Sequence, residues 1–183
     1  GGEIVMIYSM GREMQAPIFG PVVRRDWLED AGLEIPKTID DWRTMLCTFR
    51  DNYSTGEPLD FYTSCYDYGQ TFNGAYDVYL NNTNFFIQRG DYQLVPSITT
   101  DGMRDYLTTM AQWYAEGLLD KDFASTSFID NERVNNNECG ATGGLLFTMA
   151  GDFYTKLGAD ESFFFEIIAP PVRSEGAERH VYY

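Results

Sequence analysis

Arg24 to Arg50 reads RRDWLEDAGLEIPKTIDDWRTMLCTFR, and its punctuation decides the fold. Asp26 to Ala31 supports a short helix, and Gly32, free to take positive φ, ends it. Pro36 forces Ile35 into an extended conformation. Thr38 can then cap a second helix, with Asp41 three residues on completing an Asp version of the capping box. Beyond it Ile39, Trp42, Met45, Leu46 and Phe49 share one helical face, while Asp40, Asp41, Arg43 and Arg50 lie mostly elsewhere. The stretch therefore predicts two helices meeting at a corner and packed by an aromatic side, with Trp27 and Trp42 in the core.

The same residues carry a resemblance. Arg25-Asp26-Trp27-Leu28, then Gly32-Leu33, Pro36, Thr38, Asp41-Trp42, Leu46 and Phe49 follow the pattern R-x-D-W-L, G-L, P-x-T, D/E-W/F, L, F, with Arg24 or Arg25 filling the basic position. Further on, Tyr114-Ala115-Glu116-Gly117-Leu118-Leu119-Asp120 and Asp122-Phe123 match Y-x-E-G-L-I-D-x-D-F. The chain thus resembles the extracellular solute-binding proteins of bacterial ABC importers, in particular the lipoprotein branch serving sugars and oligosaccharides. The resemblance implies an α/β, periplasmic-binding-protein-like (type II) lobe with a mixed sheet flanked by helices. It implies that residues 1–183 form a single lobe, the C-terminal one of two, cut at both ends from a longer chain. It also implies an export signal and lipidated cysteine upstream, a cell-surface location, a permease partner, and a membrane link only through that missing anchor.

Bulk properties agree with a globular domain of 183 residues, 44% hydrophobic and 16% aromatic. A formal charge of −15 repels phosphate backbones and anionic membranes and argues against a nucleic-acid partner. No apolar run reaches the ~20 residues that span a bilayer. Cys47, Cys65 and Cys139 are odd in number and lack metal-type spacing, so they leave the compartment open. Cys47, beside the apolar face of its helix, reads as a buried thiol.

Along the rest of the chain, Ile4 to Tyr8 reads as a buried strand and Met10 to Pro21 as a loop. A hairpin is predicted at Asn84 to Leu94 around Arg89-Gly90. Thr100 caps a long helix, roughly Asp101 to Glu116, with Met103, Leu107, Met110, Ala111 and Tyr114 as its stripe and Gly117 closing it. Trp113 falls off that stripe, with packing inside the lobe the preferred reading. Phe128 to Asn137 suits a short polar helix. Leu145-Leu146-Phe147 and Phe163 to Ala169 suit strands, a helix starts near Asp152, and Pro170-Pro171 begins an extended exit.

Chemistry has little support. His180 is the single histidine, so any triad or His-based metal site would need it. Gly140 to Gly144 lacks the Lys-Ser/Thr of a phosphate loop, and nothing sets two carboxylates at a glycosidase separation. Some relatives in the resembled family hold calcium after the second helix. Here D-x-[DN]-x-[DN]-G-x₅-E keeps only Asp51 and Gly56, with Tyr53, Thr55 and Tyr62 at ligand positions. A polar turn is expected there; neither metal nor cofactor is.

Binding has more. Sugar C–H faces stack on rings, and hydroxyls need paired acceptors and donors. Residues 61–79 interleave seven aromatics with Asp, Asn and Gln, and in relatives this region faces the cleft between lobes. Tyr66, Tyr68, Phe72 and Asn73 are the candidates there, set against the ordinary role of aromatics as core. A strand running into a helix start at Thr148 to Tyr154 adds Thr148, Asp152 and Phe153, with outward N–H groups; Asp152 could equally serve the helix dipole. The function expected is capture of a carbohydrate solute for ABC-transporter uptake, with half of the cleft present and no catalysis. The rivals are a carbohydrate-active enzyme domain and a surface interaction module without a small-molecule ligand.

Overall fold

The computed structural model describes residues 19–61, 70–79, 86–88, 93–125, 131–145 and 163–180. The helical corner forms as its sequence dictates. Helix α1 (Arg25–Ala31) stops at Gly32, which is left-handed at φ 65°. Helix α2 (Ile39–Asn52) starts on a complete capping box: the Thr38 hydroxyl accepts from the Asp41 N–H, and the Asp41 carboxylate accepts from the Thr38 N–H. Partial burial is the largest single influence on the Asp41 carboxyl and pushes its pKa up, but hydrogen bonds from the Thr38 and Lys37 N–H groups and the Thr38 side chain together outweigh it and hold the pKa below the usual value. All five residues of the expected face are buried, Trp42, Leu46 and Phe49 completely.

The main sheet is mixed. Strands β1 (Phe19–Arg24), β2 (Leu59–Asp60), β5 (Ala141–Leu145) and β6 (Phe165–Ile167) lie in the order β2-β5-β1-β6. β1 runs antiparallel to β5 and β6, whereas β2 runs parallel to β5. A separate ribbon pairs β3 (Phe86–Gln88) with β4 (Leu94–Pro96). Neighbouring residues of β1 face opposite ways, as the two-residue period requires. Val23 joins the large cluster formed with α1, α2 and α4 (Asp101–Ala115). Val22 joins a smaller one with Cys139, Phe163 and Val134, the last from α5 (Asn131–Asn135). Helices thus cover both faces, and the α/β, mixed-sheet expectation holds.

Several expectations shift. Gly20-Pro21 reads as loop but lies in β1, where Pro21 sits opposite Gly143 and beyond the β6 pairs, so its missing N–H is tolerated. The second hairpin strand begins at Leu94, where the expected hairpin ends, and runs to Pro96. The long helix keeps its Thr100 cap and ends at Gly117, φ 69°, but buries a different stripe. Met103, Tyr106, Met110 and Trp113 face inward, while Leu107 and Tyr114 are 55% and 45% exposed. Both stripes obey helical spacing, and the one presenting two large rings removes more apolar area from water. Trp113, 1% exposed, is packed within the lobe as preferred. Cys47 is only partly buried, and Cys139 fully. The strand expected at residues 4–8 and the helix from Asp152 lie outside the described residues. Among the described residues no helix is long and apolar enough to cross a membrane.

The elements are tied by a few specific contacts. Arg43 of α2 forks onto Glu116 at the end of α4, at 3.0 and 2.9 Å, and Arg50 donates to the Glu116 carbonyl at 2.8 Å. Phe72 stands edge-on between Trp42 and Trp113, with centroids 4.9 and 5.2 Å away. The segment after β6 returns across α2: Val172 accepts from the Ile39 N–H and donates to the Lys37 carbonyl.

Candidate functional site

The centre of the sheet is nearly free of side chains. β5 reads ATGGL, and its Gly143 and Gly144 lie opposite Pro21 and Gly20 of β1. That bare strip lets the four-residue helix α3 (Gln70–Asn73) settle directly on the backbone. The Thr71 hydroxyl stands where a Gly143 side chain would begin, 2.6 Å from that Cβ position. Past α3 a 3-10 turn, Gly74–Tyr76, backs onto the His180 carbonyl, and Asp77 closes it in the left-handed region. His180 Nδ1 lies 3.4 Å from the Asp77 carboxylate.

Two of the seven expected ligand residues are on this helix, and they have opposite surroundings. Phe72 is 1% exposed and spent on the aromatic contact with Trp42 and Trp113. Asn73 is 0% exposed, yet among the described residues neither its side-chain oxygen nor its nitrogen has a hydrogen-bond partner. A buried primary amide without partners costs about 1–3 kcal/mol, so packing alone gives no reason for Asn73. Tyr66, Tyr68, Thr148, Asp152 and Phe153 lie outside the described residues. Tyr66 and Tyr68 precede α3 directly, however, and Thr148 follows β5 by three residues. In sequence these candidates adjoin α3 and β5, the elements that meet at Thr71 and Gly143. Sequence reasoning missed Thr71 and Gly143. A Gly-Gly pair inside an apolar strand is the available signal, since it often marks a close approach of backbone to something else.

Other hollows are less suited to a saccharide. A groove of about 720 Å³ runs between the start of α2 and residues 172–179, rimmed by Glu34, Lys37, Asp40, Glu175 and Arg179, with no aromatic ring among its described lining residues. A hollow of about 340 Å³ includes Tyr76 and Trp113. Arg173 already covers the Tyr76 ring at 4.2 Å, and Trp113 is buried. Among the described residues no three His, Cys, Asp or Glu side chains converge as a metal site.

No family model matches the chain. Lipoprotein LipO of Bacillus subtilis (strain 168) is 30% identical over 135 residues, which cover 67% of this chain and 25% of that protein. The alginate-binding protein AlgQ2, solved without calcium ion, superposes with a TM-score of 0.69 at 24% identity, over 86% of this chain and 33% of its own. The chain is thus similar in sequence to lipoprotein LipO and shares the fold of AlgQ2. An EF-hand mutant of the S. pneumoniae ABC-transporter substrate-binding protein FusA, in complex with fructo-nystose, gives 0.64 at 17% identity, over 90% of this chain and 33% of its own. The chain spans a quarter to a third of the relatives it matches. Both structural relatives are named as binding proteins.

Proposed function

We propose that this chain is one lobe of a two-lobed solute-binding protein, the C-terminal lobe as the resemblance has it, that captures a carbohydrate for ABC-transporter uptake at the cell surface. A lipid anchor on the parent chain would hold it to the membrane, and a permease would receive the closed, loaded form. The observation that carries the reading is the fold shared over 86% and 90% of this chain with two proteins named for an alginate and a fructo-nystose ligand. The local geometry supports it. The described residues bring α3 onto the bare backbone of β5 at Thr71 and Gly143, and the reading has the aromatic and polar candidate segments, next to these elements in sequence, line the cleft there. Tyr66 and Tyr68 supply rings, and Thr148, Asp152 and Asn73 supply hydroxyl partners. Thr71 positions Asn73 from the sheet side. Phe153 completes the stacking set, and Phe72 serves by fixing α3 against α2 and α4. Hinge closure against the other lobe buries the ligand; no catalytic step is part of the reading.

Two measurements test this proposal. Calorimetric titration of this chain with oligosaccharides is expected to show weak or no binding, whereas the full-length parent binds; sub-micromolar affinity in the isolated chain would contradict the half-site. In the parent, Asn73→Leu should keep or raise the melting temperature, since it removes an unpartnered buried amide, and lower saccharide affinity by about tenfold or more. A variant that loses stability while binding sugar normally would assign Asn73 to structure alone.

A further inference from the structure

The stretch after α2, where the calcium template has most of its ligand positions, does not fit that ion. Asp51 is still in the helix and accepts from its neighbour Arg50 at 2.7 Å. Tyr53 stacks on Trp27 with centroids 5.5 Å apart and donates its hydroxyl to Asp30 at 2.9 Å. Thr55 and Gly56 donate their N–H groups to the carbonyls of Asn137 and Glu138, both at 3.1 Å. Calcium takes about six to eight oxygens at ~2.3–2.6 Å, and these positions present no such shell.

Carboxylates do gather nearby, but around an arginine. Nη1 of Arg133 lies 2.7 Å from Asp120 and 3.2 Å from Asp60. Nη2 lies 3.2 Å from Glu57, and Nε 3.6 Å from Glu138. The four acids come from separate pieces of chain: the loop before β2, β2 itself, the turn leaving α4 and the turn leaving α5. The Arg133 side chain is 14% exposed and that of Asp60 0%, so the cluster is an interior joint. Burial works against the Arg133 charge, yet Asp120, then Cys139, Asp60 and Glu57, outweigh it and raise its pKa. At the rim, Lys121 reaches Glu57 at 2.6 Å.

We propose that Arg133 is a resident cation: its guanidinium neutralises and cross-links these four segments as a bound divalent ion could, and the fold is therefore independent of calcium. A guanidinium never gives up its proton in a protein and presents a planar fork of donors, so it holds the joint permanently where an ion would come and go. The Asp60 and Asp120 carboxylates both lie against the same nitrogen, at 3.2 and 2.7 Å, so the guanidinium occupies the position between them. The inference does not depend on which solute is captured.

Thermal melts of the wild-type chain and Arg133→Met, each in EGTA and in millimolar calcium chloride at matched ionic strength, test it. Wild type should melt at one temperature in both. Arg133→Met should melt about 5 °C or more lower in EGTA and recover part of that loss in calcium but not in sodium chloride, since four carboxylates would then face Lys121 alone. A saturable calcium-induced rise for wild type, or calorimetric calcium binding to it, overturns the inference. So does an Arg133→Met chain that melts like wild type or ignores calcium. Should that variant fail to fold, Arg133→Lys keeps the charge without the fork. It should melt below wild type and remain indifferent to calcium, and saturable calcium binding by the lysine variant counts against the idea.

Discussion

Arg24→Met is expected to lower stability by about 3 kcal/mol, or a melting temperature by about 6–12 °C for a chain of this size. Arg24 is 4% exposed at the end of β1. Its Nε donates to Asp26 at 2.8 Å, its second nitrogen reaches the other oxygen of that carboxylate, and Nη1 donates to the Asn137 amide oxygen at 2.6 Å. The guanidinium is also sandwiched between rings, 4.5 Å from Trp27 and 4.4 Å from Phe163. One side chain thus joins α1, the turn after α5 and the strand region before β6. Methionine keeps the stem packed between the rings but strands Asp26 and Asn137. The loss comes mainly from leaving a carboxylate beside apolar rings without its cation. Arg24→Met with Asp26→Asn should therefore be more stable than Arg24→Met alone, a non-additivity that urea unfolding can measure. A loss below about 1 kcal/mol for the single variant would mean that Arg24 behaves as a surface ion pair despite its burial.

Arg24 also shows where the sequence stops being readable. The helical corner is local: cap, capping box, Gly32 and the apolar face lie within a few residues of one another, and all form as expected. Arg24 and Arg133 are defined by partners far along the chain, Asn137 for one and Glu57 and Asp60 for the other, so no window of sequence contains the interaction. Arg25, the alternative for the same basic position in the motif, is instead a surface residue paired with Glu29 and Glu166. The long helix fails differently. Two stripes there satisfy one periodicity, and only the neighbouring Phe72 and Tyr76 select the face carrying Trp113 and Tyr106. The candidate site divides in the same way. The composition of residues 61–79 marks the region, but Phe72 and Asn73 are adjacent in sequence, and tertiary packing alone makes one a core ring and the other an unpartnered amide.

Gly140→Ala is expected to cost about 3 kcal/mol or more, the upper end for overpacking, although it adds one methyl group. Glycine-to-alanine changes are usually mild where the backbone suits alanine, so the size of this effect tests the packing. A Cβ at Gly140 would lie 2.4 Å from Cε3 and Cζ3 of Trp27 and 2.7 Å from Cδ2 of Phe49. Neither ring can swing aside. Each packs on the other edge-to-face at 5.2 Å, and both also contact Tyr53. Nor can the backbone retreat. The Gly140 N–H donates to the Pro58 carbonyl at 2.9 Å, and its own carbonyl accepts from Arg24 at 2.8 Å. If the clash is with the indole, Gly140→Ala combined with Trp27→Phe should be less damaging than the two single losses added together. Simple additivity in unfolding experiments would place the strain elsewhere. The position also bears on capture. Gly140 leads straight into β5, and a shift at the start of that strand is carried to Gly143, where Thr71 seats α3. Where the variant folds, the parent should consequently lose saccharide affinity as well as stability if the proposed cleft is built on α3, because the Thr71–Gly143 contact follows the glycine by three residues.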